Sequence, residues 1–243
     1  MKIKHLFFDL DRTLWDFETN AYETLKELYE EHALRQKGIS DVDVFIDVYK
    51  MHNERLWELY RNSKIEKDVL RSSRFKLTLQ DFSIDDDQLA NELGDQYIQK
   101  CPLKTHVFPY TYEVLDYLKV KYHLHIITNG FEEVQYVKLE QSNLLHYFEQ
   151  IVTSEQVGVK KPNPEIFRYA LMKAFCNPDE SMMIGDDLPV DIIGAKAMGM
   201  HQVYFNPEKI EEQVNNTQLI LDEFKTNNSP SQLAAESINK FIS

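Results

Sequence analysis

Residues 3–13 of the chain read IKHLFFDLDRT, an apolar run that ends in two carboxylates, Asp9 and Asp11. A run of this kind predicts a buried strand whose carboxyl end opens into a polar pocket. Two acids one residue apart repel each other, so burying them together requires a counter-charge. Mg²⁺ is the simplest one, because it is held by one or two carboxylates with phosphate oxygens and water. On these residues alone, two solvated acids at a strand end are an equal interpretation.

Composition narrows the class of protein. The chain has 243 residues, enough for one α/β domain or for a domain with an insertion. A hydrophobic content of 43% suffices for a packed core. The formal net charge of −13 argues against a nucleic-acid polymer as partner, because Lys and Arg clusters hold phosphate backbones. A small phosphorylated ligand is compatible with this charge, since a metal and a few amides can bind it.

Cysteine content and hydropathy indicate a compartment. Only Cys101 and Cys176 occur, without a CxxC pair, so neither a disulfide framework nor a zinc site is expected. The first apolar run is too short for a signal-peptide core. No run of about 18 or more apolar residues could span a membrane. We therefore expect a soluble, cytoplasmic protein with no membrane partner.

Hydrophobic periodicity predicts two kinds of structure along the chain. Residues 17–100 show helical spacing, with predicted helices at 21–31, 44–62, 67–79 and 87–100. Further along, predicted strands at 123–128, 150–153, 181–185 and 201–205 alternate with predicted helices at 111–120, 132–142, 164–175, 189–198 and 229–241. This predicts an α/β fold with a doubly wound (Rossmann-like) parallel sheet core over 1–16 and 101–243. Residues 17–100 are then a helical insertion.

Polar residues follow the second predicted strand and the third. Strand 123–128 ends in Thr128-Asn129-Gly130, and ligands bind beyond the carboxyl ends of parallel strands. A hydroxyl and amides at the start of a helix suit a phosphate oxygen. Lys161 precedes two prolines that stiffen its backbone, so it could steady a carboxylate and screen phosphate charge. Taken singly, the first segment is more simply a strand-to-helix turn, and the second is more simply a solvated loop with exposed lysines.

A second group of acids follows the predicted strand 181–185. Asp186 and Asp187 stand at its carboxyl end, and Asp191 follows near the head of the next helix. Asp191 alone could be a helix cap, because carboxylates are favourable at helix N-termini. An acid pair facing the acids at Asp9 and Asp11 instead indicates a magnesium site.

In this order the segments resemble the motifs of the haloacid dehalogenase (HAD) superfamily of phosphotransferases, over nearly the whole chain. The resemblance implies that Asp9 attacks phosphorus and forms an aspartyl-phosphate, and that Asp11 acts as general acid and then general base. The implied Mg²⁺ cofactor would be held by Asp9, the backbone carbonyl of Asp11 and Asp186, with Asp187 and Asp191 supporting. The residues implied to bind the transferring phosphoryl group are Thr128, Asn129, Gly130 and Lys161, of which Thr128 and Lys161 also count as catalytic.

The insertion is similar to the family's C1 helical cap. A narrower resemblance, to the pyrimidine 5′-nucleotidases of the YjjG type, rests on WELY at 57–60, LRSSRF at 70–75, ITNGF at 127–131 and SEQVGV at 154–159. It implies a nucleoside monophosphate as substrate. Arg71 and Arg74 are candidate contacts, although helical spacing makes a core or surface position the default interpretation of both. Whether Trp57 and Tyr60 also touch substrate stays open. The chain departs from the superfamily at Arg12, where Gly is usual, and Arg adopts a positive φ less readily than Gly.

Other interpretations remain beside this one. A sugar-phosphate phosphatase, a phosphomutase, an inactive binding protein and a dehalogenase share much of the pattern, although carbon–halogen cleavage does not need the acid at Asp11. A receiver-like signalling module combines similar residues but is about half this length and lacks a helical insertion. The sequence leaves the choice between monomer and homodimer open.

Overall fold

A computed structural model of the protein describes residues 3–206, so the predicted helix at 229–241 lies outside the described residues. Five strands form one sheet: β1 (His5–Phe8), β2 (His123–Thr128), β3 (Gln150–Thr153), β4 (Ser181–Gly185) and β5 (His201–Tyr204). Every pairing is parallel, in the order β3-β2-β1-β4-β5. The prediction of a doubly wound α/β fold is therefore confirmed.

Nine α-helices lie within residues 3–206. They are α1 (Phe17–Glu31), α2 (Val42–Arg61), α3 (Lys67–Asp81), α4 (Asp87–Lys100), α5 (Thr111–Leu118), α6 (Glu132–Gln141), α7 (Ser154–Val157), α8 (Pro164–Lys173) and α9 (Ile193–Ala197). Short 3₁₀ turns lie at Leu34–Lys37, Cys101–Leu103, Leu145–Tyr147 and Pro178–Glu180. None of the helices in this part of the chain is both long and apolar enough to cross a membrane.

The chain divides into two compact units. One contains residues 3–17 and 105–206 within the described range, and the other is Glu18–Lys104. The first holds the whole sheet, and the second holds α2 to α4.

The sheet unit is built around strands that are buried along their length. All five residues of β4 are buried, as expected for a central parallel strand covered on both faces. Phe7, Ile127, Val152 and Met183 from four strands pack together with Phe167 of α8 in one core cluster. The core thus fixes the strand ends that carry the polar residues.

Aromatic side chains form the centre of the helical unit. Tyr49, Phe75 and Tyr97 come from α2, α3 and α4, with ring centroids 4.8 to 5.8 Å apart. Asp41 begins α2 by accepting hydrogen bonds from the backbone amides of Asp43 and Val44.

The segment after β4 differs from the prediction of one helix over 189–198. A π-helical turn, Leu188–Ile192, comes first, and α9 follows at Ile193–Ala197. Asp187 begins the turn, since its side chain accepts from the amide of Val190 at 3.1 Å. Periodicity cannot anticipate this turn, because local side-chain bonds set it.

Candidate active site

The acids that follow β1 and β4 lie at the switch point of the sheet. The chain continues from β1 toward β2 and β3 on one side, whereas β4 and β5 lie on the other. The amide of Asp9 donates to the carbonyl of Ile184 at 2.9 Å, so the ends of β1 and β4 are in register. Ligands of open α/β sheets bind at this position.

Lys161 contacts two acids and a backbone carbonyl, which come from three segments. Its Nζ lies 2.6 Å from Asp9 Oδ1 and 2.7 Å from Asp191 Oδ1, and it donates to the carbonyl of Ile127 at 2.7 Å. The side chain is only 2% exposed, so these contacts are shielded from water. A buried ammonium with two carboxylates is fixed in place.

Asn129 holds the backbone of Lys161 in position. Its side-chain Oδ1 accepts from the Lys161 amide at 2.7 Å, and its Nδ2 donates to the Lys161 carbonyl at 3.0 Å. The loop after β2 is closed internally, because Thr128 Oγ1 accepts from the amide of Gly130 at 3.0 Å. The four residues predicted to bind phosphoryl oxygens therefore lie in one bonded group.

Three carboxylates gather around the single ammonium of Lys161. One carboxylate oxygen each from Asp9, Asp186 and Asp191 lies within 4.8 Å of the others. Burial raises the pKa of Asp9 well above its ordinary value, and it raises the pKa of Asp191 as well. Burial would lower the pKa of Lys161, but the carboxylates of Asp191 and Asp9 raise it.

Asp186 takes part in the same imbalance of charge. Burial and the carboxylate of Asp191 raise the pKa of Asp186 to about 7, while the Arg12 guanidinium opposes this shift. Thr13 Oγ1 donates to Asp186 Oδ1 at 3.2 Å. Three carboxylates near one lysine leave an excess of negative charge when they are ionised. A divalent cation that prefers oxygen ligands would balance this charge.

Arg12 adopts the conformation that its position usually reserves for Gly. Its φ is 65°, in the left-handed region, which costs roughly 1–2 kcal/mol for a residue with a Cβ. Its amide donates to the carbonyl of Trp15 at 2.9 Å, and its guanidinium lies 4.9 Å from the centre of the Phe17 ring. The turn after β1 therefore has a positive φ at Arg12, and the contacts with Trp15 and Phe17 help to stabilise it.

Asp187 and Asp191 are fixed by the turn that follows β4. The amide of Asp187 donates to Asp191 Oδ2 at 3.3 Å, and the amide of Asp191 donates to the carbonyl of Asp187 at 2.8 Å. Gly185 makes room for this arrangement, because a Cβ there would lie 2.3 Å from Asp191 Oδ2.

Asp11 lies in a different bonded group from Asp9. Lys138 Nζ donates to Asp11 Oδ1 at 2.5 Å, and Gln135 Nε2 donates to Asp11 Oδ2 at 3.0 Å. Sequence reasoning missed both partners, which come from α6. A signal was present, since Gln135 and Lys138 occupy the i and i+3 positions of the helix stripe that also buries Leu139.

The residues of the helical unit that were considered as substrate contacts are described within that unit. Arg74 is 4% exposed; its Nη1 donates to Asn53 Oδ1 at 3.4 Å, and its guanidinium lies 5.2 Å from the centre of the Tyr97 ring. The rings of Trp57 and Tyr60 meet edge to face, with centroids 5.7 Å apart. Arg71 lies on α3 with Arg74, and substrate binding by either arginine stays a prediction.

Comparisons with known proteins show which family model and which relatives the chain matches. The model of the haloacid dehalogenase-like hydrolase family matches residues 6–205. The pyrimidine 5′-nucleotidase YjjG of Escherichia coli K12 is 32% identical over 87% of this chain and 90% of its own length. A glyceraldehyde 3-phosphate phosphatase of Methanothermobacter thermautotrophicus is 30% identical over 87% of this chain and 89% of its own length.

A solved structure supports the likeness in three dimensions. The magnesium-bound HAD-hydrolase YfnB of Bacillus subtilis is 25% identical, with a TM-score of 0.80. The match covers 93% of this chain and all of that one.

Proposed function

Because this chain belongs to the haloacid dehalogenase-like hydrolases, we propose that it hydrolyses phosphoric monoesters with Asp9 as the nucleophile. The contact that carries the proposal is the one between Lys161 Nζ and Asp9 Oδ1, at 2.6 Å. A carboxylate held by a buried ammonium presents its other oxygen in a fixed direction.

Two displacements at phosphorus complete the reaction. First, a carboxylate oxygen of Asp9 forms a bond to phosphorus while the ester bond breaks, and Asp11, which enters this step protonated, gives its proton to the departing alkoxide. Then Asp11 takes a proton from water, whose oxygen bonds to phosphorus as the bond to Asp9 breaks. The products are an alcohol and inorganic phosphate, and both carboxyl groups return to their first state.

Backbone and side-chain groups around Asp9 bind the phosphoryl oxygens in this proposal. Thr128 contributes its hydroxyl, Asn129 contributes its backbone amide, Gly130 closes the loop beside them, and Lys161 contributes its charge. As negative charge spreads over the equatorial oxygens, these fixed donors stabilise it. The support is the bonded group that Asn129 forms with Lys161.

Mg²⁺ is the proposed cofactor. Its proposed ligands are the carboxylates of Asp9 and Asp186 and the backbone carbonyl of Asp11, with Asp187 and Asp191 supporting. When bound, the ion neutralises the acid group and draws charge from the phosphoryl oxygens. The support is the fit of three clustered carboxylates to a cation and the magnesium of the related YfnB structure.

The proposed substrates are pyrimidine nucleoside 5′-monophosphates. The support is the likeness to YjjG over most of both chains. We assign the helical unit as a C1-type cap that selects the leaving group, with Arg71 and Arg74 as contacts. A second candidate is a sugar phosphate, favoured by the comparable likeness to the glyceraldehyde 3-phosphate phosphatase.

Phosphate release from a panel of monophosphates tests this function. Uridine, cytidine, adenosine and thymidine 5′-monophosphates are compared with ribose 5-phosphate and glyceraldehyde 3-phosphate, with Mg²⁺ and with a chelator. We expect release that requires Mg²⁺ and is fastest with the pyrimidine nucleotides. Release from the sugar phosphates alone would favour the second candidate, and no release from any ester would contradict the phosphatase.

A further inference from the structure

Both oxygens of the Asp11 carboxylate have partners from one helix. Lys138 binds Oδ1, and Gln135 binds Oδ2. The residues are three positions apart on α6, so they project from the same face. Asp11 is therefore clamped from one side.

Lys138 and Gln135, called the clamp below, stand at buried positions of α6 that apolar side chains could fill. Gln135 is 1% exposed, and Lys138 is 4% exposed. Lys138 Nζ lies 4.2 Å from the centre of the Trp15 ring, which favours the cation but does not require it. Since well-packed apolar residues usually stabilise a core at least as well as a buried ion pair, stability alone does not account for these two residues.

The hydrogen bonding of Gln135 is also not explained by stability. Its Oε1 is buried and has no hydrogen-bond partner among the described residues. Turning the amide over would point this oxygen at the Asp11 carboxylate, so the bond to Asp11 fixes its direction. A buried acceptor left without a partner destabilises a fold, which indicates that the amide is retained for its bond to Asp11.

The loop after β2 leaves space for the clamp. A Cβ on Gly130 would lie 1.9 Å from Gln135 Nε2. Gly130 does not have a positive φ, so this close approach, rather than backbone conformation, explains the glycine. The Gly130 position thus serves the partner of Asp11 as well as the loop itself.

We propose that Lys138 and Gln135 are positioning residues that hold the Asp11 carboxylate apart from the group of Asp9, Asp186 and Asp191. The inference rests on the proposed function, in which Asp11 must reach the leaving oxygen. The described cluster of possible metal ligands contains Asp9 and not the side chain of Asp11, in agreement with this separation. Lys161 and Lys138 thereby give two neighbouring acids two different tasks.

The proposal predicts a dependence on the leaving group. An alkoxide needs a proton from Asp11 as it departs, whereas p-nitrophenolate is stable enough to depart without one. Loss of the clamp should therefore impair nucleotides more than p-nitrophenyl phosphate. The parameter kcat/KM isolates this effect, because it covers steps only up to the departure of the alcohol.

The test compares Lys138→Met, Lys138→Arg and Gln135→Leu with wild type. Lys119→Met is the matched control, since Lys119 also pairs with an acid and lies over an aromatic ring, but is exposed. We expect Lys138→Met to lower kcat/KM for uridine 5′-monophosphate at least about tenfold more than for p-nitrophenyl phosphate. Lys138→Arg should restore most of the loss, Gln135→Leu should shift the ratio in the same direction, and Lys119→Met should not shift it.

Melting temperatures and wild-type rates separate the possible failures. We expect the Lys138→Met protein to melt somewhat lower than wild type, because Asp11 loses its counter-charge, and its activity on the nucleotide to fall by more than its activity on p-nitrophenyl phosphate. An equal loss on both substrates, or no loss, would overturn the inference; if Lys138→Met does not fold, the ratio in Gln135→Leu decides in the same way. Absence of phosphate release by the wild type would instead overturn the proposed function, and the inference with it.

Discussion

Asp9 and Asp11 are chemically identical, and their neighbours make them different. Asp9 is buried against Lys161 and two further acids, whereas the Asp11 side chain is 28% exposed and pairs with Lys138 and Gln135. A nucleophile gains from a fixed, shielded carboxylate, and an acid–base group gains from access to the leaving oxygen. On a continuous strand two residues with one residue between them would face the same side, but β1 ends at Phe8, before Asp9, and the chain turns at Arg12, so the two side chains reach different partners.

The sequence predicted that polar residues following the strands would lie together. The spacing of Asp9, Lys161 and Asp186 along the chain follows the alternation of strands and helices, and topology brings them to one edge. The partners of Asp11 could not be found in this way, because they lie within a helix and are recognised only by which face is buried. The positive φ of Arg12 was also beyond prediction, since local contacts decide whether Arg tolerates it.

Replacing Gly185 by Ala tests the packing behind the acid group. The new Cβ would lie 2.3 Å from Asp191 Oδ2 and 2.6 Å from its Cγ, so the Asp191 side chain, which contacts Lys161, must shift. We expect Gly185→Ala to lower the free energy of unfolding by about 1–3 kcal/mol and to weaken Mg²⁺ binding, measured by urea denaturation and calorimetry.

Gly94→Ala is the control for this substitution. Gly94 lies within α4, and its Cβ would meet nothing closer than 3.6 Å. We expect a gain of roughly 0.5–1 kcal/mol, since Ala favours a helix over Gly. Equal effects of the two substitutions would contradict the account of Gly185.

At the scale of the elements, three histidines lie together near the starts of β1 and β2. His5 is paired with His123 in the sheet register, and His5 Nδ1 lies 3.1 Å from His125 Nε2. Burial lowers the pKa of His125 from 6.5 to about 4, and the neighbouring His5 adds to the shift. These histidines face one another and Glu149, not a group of metal ligands.

The low pKa of His125 predicts a dependence of stability on pH. Between pH 6.5 and 4 the unfolded chain binds a proton at this residue that the folded protein does not, so stability falls as pH falls. We expect His125 to account for about 2 kcal/mol of the loss between pH 7 and pH 5. Urea denaturation of wild type and His125→Gln at both pH values measures it.

The comparison isolates His125 because other titrating groups are present in both proteins. The raised pKa values of Asp9 and Asp186 act in the opposite direction and cancel in the difference. Parallel pH profiles for the two proteins would show that His125 titrates alike in the folded and unfolded states.

At the scale of the whole molecule, the sequence was sufficient for the fold class. Uninterrupted apolar runs at regular intervals predicted the strands, and the described strands other than β1 and β5 have the predicted bounds. β1 begins at His5 rather than Ile3, although backbone hydrogen bonds from Lys4 to Glu180 and from His123 to Lys4 precede it. Which residues of the helical unit touch a substrate was beyond prediction, since helical spacing does not distinguish a contact from a core residue.

The acid group predicts that Mg²⁺ stabilises the whole protein. An ion that binds only the folded state raises the free energy of unfolding, by about 2.7 kcal/mol at a hundred times its Kd. We expect the melting temperature to rise with Mg²⁺ in wild type and not in Asp186→Asn. Sodium chloride at matched ionic strength is the control, and an equal rise in both proteins would place the ion elsewhere.

Phosphorylation of Asp9 is the measurement that tests the central claim most directly. Wild type and Asp9→Asn are mixed with Mg²⁺ and uridine 5′-monophosphate that carries a radiolabelled phosphate, quenched in acid within the first turnover, and mapped by peptide. We expect label on the peptide that contains Asp9 in wild type, and neither label nor phosphate release in a folded Asp9→Asn protein. Label on another residue, or phosphate release by Asp9→Asn near the wild-type rate, would contradict the account.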